Sequence, residues 1–187
     1  MPSPAASTAS LQSLVRRFRR NRRGSAAVEF ALVAPVFFAL MFAILETGIV
    51  FFAGQVLETI VQDSARVVMT GQQQAGTNTQ ANFKTYVCNH IPALFSCANI
   101  YVDVQSYPSF TNVVINNHID ASSNFDTTMK YCPGNSGDIV VVRLFYQWPL
   151  IVTGLGYNIS NLTGSKRLLA ATAAFRNEPF IANASPC

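Results

Sequence analysis

The sequence predicts an α+β protein in which a long N-terminal helix leads into a small domain with an antiparallel sheet. Residues 26–45 are apolar except for one glutamate, and a helical pattern continues to about residue 70. The rest of the chain contains several short segments rich in β-branched and aromatic residues. A chain of 187 residues is long enough for one modest domain beside such a helix.

The apolar part of the helix is long enough to span a membrane. Residues 26–45 carry only one charge, Glu29, and extend over about 30 Å as a helix, roughly one hydrocarbon core. Six arginines lie between residues 16 and 23, whereas three acids follow the apolar run before the next cation, Arg66. The positive-inside bias therefore predicts a cytoplasmic N-terminus and an outer location for the chain after about Leu45.

The apolar run is too long for an ordinary cleaved secretory signal, whose apolar region has about 7–15 residues. Hydropathy alone therefore predicts an uncleaved signal anchor. The start of the run shows a second pattern, because Gly24 follows the arginines, Glu29 lies five residues later and Phe30 comes next. A carboxylate inside a membrane, which costs about 2.5–3.5 kcal/mol at the bilayer centre, is by default a functional hypothesis. The alternative is a carboxylate near a helix N-terminus, stabilised by the helix dipole by about 0.3–1 kcal/mol.

This second pattern resembles the processing site of type IV prepilins in the form used by the Flp/Tad pilus system. Residues 22–70 are similar to the TadE-like pseudopilins, the minor pilin-like proteins of Tad pilus assembly. The resemblance includes Leu45-Glu46-Thr47-Gly48 and the Ala65-Arg66 ending of a run that in the family usually reads R-E-G-A-R. Gln62 departs from the first position of that run.

The resemblance implies a pilin-like fold and a prepilin peptidase that cleaves between Gly24 and Ser25 on the cytoplasmic side. Glycine suits such a site because it has no side chain to obstruct the peptidase. The resemblance also implies that Glu29, followed by Phe30, serves peptidase recognition and helix assembly, and that Glu29 neutralises the Ser25 amine of a neighbouring subunit. We therefore expect a leader at 1–24, a long helix at 25–70 and a periplasmic α+β domain at 71–187.

The implied partners are the prepilin peptidase, other pilins or pseudopilins, Tad inner-membrane assembly proteins and membrane lipid. The implied location is the bacterial inner membrane, crossed once, with possible incorporation in an extracellular pilus. Nucleic acid is not an expected partner, although the net charge is +4. Six of the 13 basic residues lie in the leader, which leaves seven against nine acids after it, a net charge of −2.

The second half of the helix is amphipathic, and its pattern predicts one apolar stripe facing the outer domain. Asp63 and Arg66 are three residues apart and are expected to form a structural pair. Gly71 and the polar tract after it end the helix. The stripe consists of Ile49, Phe52, Val56, Ile60 and Val67.

The outer domain is expected to contain one short helix and four strands. The final Ala-rich segment has the propensity for a helix, but a strand is favoured because it follows a Gly-containing turn and would complete a sheet. The helix is expected at 81–91 before Pro92, and the strands at 100–107, 111–115, 138–147 and 167–175.

The four cysteines all lie on the side placed outside the cytoplasm, where disulfides persist. Four cysteines allow three pairings, of which we favour Cys88 with Cys97 and Cys132 with Cys187. A metal site is the alternative, but the chain has no C-x-x-C.

No catalytic pattern accompanies the two histidines, His90 and His118, and His118 is expected to be a loop residue. We therefore expect no enzyme, no cofactor and no metal. The alternative to a pseudopilin is an unprocessed single-pass membrane protein whose periplasmic domain binds a partner or acts as a scaffold.

Overall fold

The computed structural model describes residues 16, 24–75, 79–153, 156–181 and 187. The helices are α1 (Ser25–Met69) and α2 (Gln80–His90), and the strands are β1 (Ile100–Tyr107), β2 (Ile139–Pro149) and β3 (Lys166–Arg176). Short 3-10 turns lie at Cys97–Asn99 and Phe110–Asn112. The α+β class, with its long N-terminal helix and small antiparallel sheet, is confirmed.

The chain forms two compact units, Met1–Phe42 and Ala43–Cys187. The boundary between them falls inside α1. The first unit contains the apolar first half of that helix, including Pro35. The second contains the rest of α1, α2 and the sheet. The division expected from the sequence, at residues 24 and 70, stays a prediction.

The sheet has the order β1-β2-β3, with both neighbouring pairs antiparallel. Ile100 pairs with Tyr146 at one end of β1, and Tyr107 pairs with Ile139 at the other. Lys166 opens β3 opposite Pro149. The central strand β2 is buried along most of its length, which explains its nearly continuous apolar sequence. The Ala-rich segment is a strand, as expected, because it completes this sheet.

The strand expected at 111–115 is wrong. Part of it lies in the 3-10 turn Phe110–Asn112, and the rest is irregular, with Val114 and Ile115 exposed. The outer edge of β1 is occupied instead by residues 130–132. There Val104 N donates to Lys130 O at 2.9 Å, and Cys132 N donates to Val104 O at 2.8 Å. The segment that bridges to this edge of β1 is therefore 130–132, through Tyr131, and not 111–115.

The domain-facing side of α1 also differs from the expected stripe. Its buried positions recur every three or four residues, but Ile49 and Phe52 are 50% and 62% exposed. Ala53, with its small side chain, faces the core instead, and small residues allow a helix to approach its neighbours closely. Complete burial of Leu57 contributes about 1.5–3 kcal/mol. The buried face consists of Val50, Ala53, Leu57, Ile60, Val61, Ser64, Ala65 and Val68.

Helix α2 closes the core next to β1. The Thr79 hydroxyl accepts a hydrogen bond from Asn82 N and so caps the helix. Phe83 and Val87 are buried on its inner face. Gln80 Nε2 donates to Val102 O of β1 at 2.8 Å, which fixes the start of the helix against the edge strand.

Both pairs of cysteines are joined as the sequence analysis favoured. Cys88 on α2 is bonded to Cys97, with Cα atoms 5.5 Å apart. Cys132 is bonded to Cys187, with Cα atoms 5.1 Å apart. The second disulfide closes the longer loop, and a longer loop gives a disulfide a larger effect on the entropy of the unfolded chain.

Candidate functional site

The first half of α1 presents apolar side chains outward all along its length. Within Ser25–Met69, an 18-residue window has a mean hydropathy of 2.4, and none of that window is buried. By length and composition α1 can cross a membrane. Uncovered side chains of this size are normally explained by lipid or by another protein. They include Val28, Phe30, Leu32, Val33, Phe37 and Leu40.

The residues expected at the cleavage site lie at the start of α1. Gly24 immediately precedes the helix, and a Cβ added there would meet no atom within 4 Å. Ser25 Oγ donates to Glu29 Oε1 at 2.8 Å across one helical turn. Phe30, beside Glu29, is exposed. The structure thus brings Ser25 and Glu29 together and leaves Gly24 and Phe30 uncovered, whereas arginines 17–23 lie outside the described residues.

A second polar site follows the apolar run directly, and the sequence analysis missed its role. The Glu46 carboxylate accepts hydrogen bonds from the backbone N–H groups of Ile151 and Val152, the latter at 3.1 Å to Oε2. One residue later, Thr47 Oγ1 lies 2.6 Å from the Tyr157 hydroxyl oxygen. These contacts join the loop between β2 and β3 to α1. The available signal was a glutamate and a threonine directly after an apolar run that ends where the outer domain begins.

A cavity of about 380 Å³ lies next to these contacts, between α1 and the start of β3. Phe51 and Gly54 line it on the helix side, and Tyr157 and Arg167 line it on the other. Arg167 Nη1 donates to Ile159 O at 2.7 Å, so its guanidinium is held in place. The cavity therefore combines an apolar wall with one oriented cation.

The opposite face of the sheet contains a buried ion pair that the sequence analysis also missed. Arg143 Nη2 donates to Asp103 Oδ2 at 2.7 Å, and Nε donates to the same oxygen at 3.1 Å. Asp103 Oδ1 accepts from Lys130 N at 2.9 Å, while Arg143 Nη1 donates to Asn116 O at 2.9 Å. The pair therefore fixes the segment between β1 and β2 over the sheet. A lone charge in the middle of each apolar strand was the available signal.

His118 is in an irregular segment, as expected, but it is only 7% exposed. Its Nε2 lies 3.0 Å from Arg143 Nη2, a permanent donor, so Nε2 accepts. Its Nδ1–H then donates to Asp126 O at 3.3 Å, and the ring packs against Phe145 with centroids 4.7 Å apart. His118 is therefore a packed part of the segment that covers the sheet.

Two aspartates fold the segment that covers the sheet. A backbone hydrogen bond from Asn124 lowers the pKa of Asp120, and one from Thr128 lowers the pKa of Asp126. Burial raises the pKa of the Tyr131 hydroxyl, at the end of this segment, to about 12. Within the described residues that hydroxyl has no hydrogen-bond partner, so no hydrogen bond offsets the cost of burying it.

Other expectations concern charges and metal ligands. Asp63 and Arg66 are both exposed on α1, and in the described part of the chain the single ion pair within 4.0 Å joins Asp103 and Arg143. The expected Asp63–Arg66 pair is thus not formed. Among the described residues, no three side chains of the metal-binding types lie together. His90 Nδ1 lies 2.8 Å from Tyr86 O of its own helix.

Among the described residues, one helix is long and apolar enough to cross a membrane, and a small α+β domain with two disulfides follows it. This combination fits a single-pass membrane protein. Residues 24–66 match the family model described as TadE-like protein, and this match supports a TadE-like protein of the Tad pilus system. The match begins at Gly24 and includes Glu29, Glu46 and Thr47. No curated protein and no solved structure matches the chain.

Proposed function

We propose that this TadE-like protein is a pseudopilin, cleaved by a prepilin peptidase between Gly24 and Ser25, that takes part in assembly of the Tad pilus. The observation that carries the proposal is the arrangement at the start of α1. An unobstructed glycine precedes a helix whose first residue, Ser25, is hydrogen-bonded to the lone carboxylate of the apolar half. The match to the family begins at this glycine.

The contacts of Ser25 support a role for Glu29 after cleavage. Cleavage would make the Ser25 nitrogen an ammonium group one helical turn from the carboxylate. In an apolar environment an uncompensated charge is costly, whereas an amine and a carboxylate neutralise each other. A neighbouring subunit that supplies its own Ser25 amine would offset the cost of Glu29, while the exposed apolar side chains of both helices pack together.

The topology supports a location in the inner membrane with the C-terminal domain in the periplasm. The arginines lie before α1, and all four cysteines lie in the outer unit, bonded in two pairs. Disulfides persist in the periplasm and are rare in the cytoplasm. The proposed partners are the peptidase, other pilins or pseudopilins, and Tad inner-membrane assembly proteins.

The mature N-terminus tests the proposal directly. Intact-mass and N-terminal peptide analysis of the protein extracted from membranes should find a chain that starts at Ser25, and Gly24→Trp should leave the precursor uncut. Gly48→Trp is the matched control, because Gly48 lies on α1 and, like Gly24, has no atom within 4 Å of an added Cβ. Cleavage that is unchanged in Gly24→Trp would remove the peptidase from the proposal.

Glu29→Ala separates assembly from processing. We expect the variant to be cleaved but to co-purify poorly with other pilins, because the Ser25 amine would lose its counter-charge. Glu58→Ala, on the same helix but in the outer unit, should co-purify normally. Normal co-purification of Glu29→Ala would show that Glu29 has no part in assembly.

One observation favours the alternative of an unprocessed membrane anchor with a binding or scaffolding domain. Glu29 already has a hydrogen-bond partner in its own helix, the Ser25 hydroxyl, so it does not require a neighbouring subunit. A membrane-extracted chain that still contains the residues before Gly24 would favour this alternative.

A further inference from the structure

The end of the sheet formed by the last residues of β2 and the first of β3 has a distinct composition. Pro149 and Lys166 face each other there, and the loop between them is bonded to α1 through Glu46 and Thr47. The part of α1 from Ala43 onward, the loop and both strands belong to the same compact unit. The structure therefore defines which part of α1 lies beside this end of the sheet, namely the part around Glu46 and Thr47.

Apolar, aromatic and cationic side chains are combined at this end. Ile151 is 90% exposed and Tyr157 is 37% exposed, Trp148 is half-buried and Lys166 is exposed. From residue 139 to residue 177 the sequence contains no acidic residue. Within the described residues, neither Lys166 nor Arg167 forms an ion pair. Aromatic rings, a protruding aliphatic side chain and free cations are typical of protein surfaces at the level of lipid headgroups.

The position of this end of the sheet along α1 also agrees with a location at the level of lipid headgroups. Glu46 and Thr47 directly follow the apolar run that ends at Leu45. On the helix surface not covered by the domain, the next turns still present Ile49, Phe51 and Phe52, of which Phe51 is 70% exposed. If α1 spans the bilayer, these side chains place the boundary between hydrocarbon and headgroups at the level of the Glu46 contacts.

We propose that this end of the domain, defined by Trp148, Ile151, Tyr157, Lys166 and Arg167, rests on the anionic phospholipid headgroups of the membrane that α1 crosses. The proposal rests on the membrane insertion contained in the proposed function. Ile151 enters the interfacial layer, while Lys166 and Arg167 attract the phosphate groups of anionic lipids. The outer domain is then oriented by the lipid surface as well as by its helix.

The cavity between α1 and β3 fits the same occupant. Phe51 provides an apolar wall and Arg167 an oriented guanidinium at its edge. A phospholipid combines an acyl chain with an anionic headgroup and so matches both parts. Glu46 does not repel it, because its carboxylate faces the backbone N–H groups of Ile151 and Val152.

Tryptophan fluorescence tests the proposal, because Trp148 is the single tryptophan of the chain. The full-length protein would be reconstituted in vesicles of phosphatidylethanolamine and phosphatidylglycerol whose acyl chains carry bromine near the headgroup end. In a Trp148→Phe background, Ile151→Trp should be quenched at least about twofold more than Phe110→Trp, as expected for an interfacial side chain. Phe110 is the matched control because it is 63% exposed and follows the opposite end of β1.

A third variant distinguishes failure of this proposal from failure of the proposed function. Phe37→Trp, near the middle of the apolar half of α1, should be quenched strongly in vesicles whose acyl chains carry bromine near the bilayer centre, if the helix spans the bilayer. Quenching at residue 37 with equal, weak quenching at 151 and 110 would overturn the lipid contact alone. No quenching at residue 37 would overturn the membrane span and the lipid contact together. Native Trp148, near the same end of the sheet, gives a readout that needs no substitution.

The proposed attraction between Lys166 and anionic lipid is tested with a separate control. Lys166→Glu should reduce quenching of the tryptophan at 151, and so should replacing phosphatidylglycerol by phosphatidylcholine. Lys130→Glu, an equally exposed lysine on the segment over the far face of the sheet, should leave the quenching unchanged. Equal effects of the two lysine substitutions would contradict a local contact with anionic lipid. Non-reducing peptide mass spectrometry would verify that both disulfides are retained in every variant.

Discussion

Asp103→Ala offers the sharpest test of how the outer domain is held together. The carboxylate accepts hydrogen bonds from Arg143 Nε and Nη2, from Lys130 N and from Gln105 Nε2. The side chains of Arg143 and Asp103 are 4% and 1% exposed, so the substitution leaves a buried guanidinium without a counter-charge. Removal of one partner from such a pair costs about 3–5 kcal/mol, a large part of the stability of a typical domain.

Urea unfolding of the detergent-solubilised protein, followed by Trp148 fluorescence, measures this cost. Trp148 packs edge-on against Phe95 in the core, so its emission reports on the sheet. Asp63→Ala is the matched control, because Asp63 is exposed and forms no ion pair with any residue that the structure describes. A change within about 0.5 kcal/mol is expected. A variant with Asp103→Leu and Arg143→Met together should recover much of the loss, because neither charge remains buried. If Asp103→Ala cost no more than Asp63→Ala, the ion pair would not stabilise the domain as reasoned.

Three further predictions use the same unfolding assay. Leu57→Ala should cost about 2–5 kcal/mol because Leu57 is completely buried, whereas Phe52→Ala should cost little; equal losses would contradict the buried face of α1. Gly71→Ala should destabilise by more than about 1 kcal/mol, because φ is +76° and the new Cβ would lie 2.5 Å from Phe180 Cγ; unchanged stability would refute that reasoning. Burial keeps Tyr131 protonated until its pKa of about 12, whereas the unfolded chain releases that proton near 10.0, so stability should fall as the pH rises between these values. Tyr131→Phe should remove this part of the alkaline loss, and an identical pH profile would contradict it.

The strands that the sequence predicted correctly share a simple property. β1, β2 and β3 are apolar and β-branched or Ala-rich, and each has a paired neighbour. The segment 111–115 has similar residues, but residues 130–132 and not 111–115 bridge to the outer edge of β1. Edge occupancy depends on distant residues, so local composition cannot reveal it.

The face of α1 was misassigned for a related reason. The expected stripe followed the largest apolar side chains, including Ile49 and Phe52, which the structure exposes. A helix with apolar residues on two sides has no single stripe. Here one side forms the core through Ala53 and Leu57, while the other is available to lipid or another helix.

The candidate functional site also contains one part that the local sequence reveals and another that only the fold reveals. Gly24, Ser25 and Glu29 form a local sequence pattern, and local patterns can be recognised without a structure. The contact between Glu46 and Ile151 joins residues more than a hundred positions apart. The pairing of Asp103 with Arg143 requires the register of β1 and β2, which composition alone does not specify.

The use of one helix for both the anchor and the core has a mechanical consequence. Tension applied through the first half of α1 would reach the outer domain first at the hydrogen bonds of Glu46, and then along the buried face from Val50 to Val68. The load would be shared among many side chains instead of acting on one linker. The bonds Cys88–Cys97 and Cys132–Cys187 also limit how much chain could extend if the domain yielded, because residues between bonded cysteines add almost no length. The domain would therefore resist unfolding under a force applied through this helix.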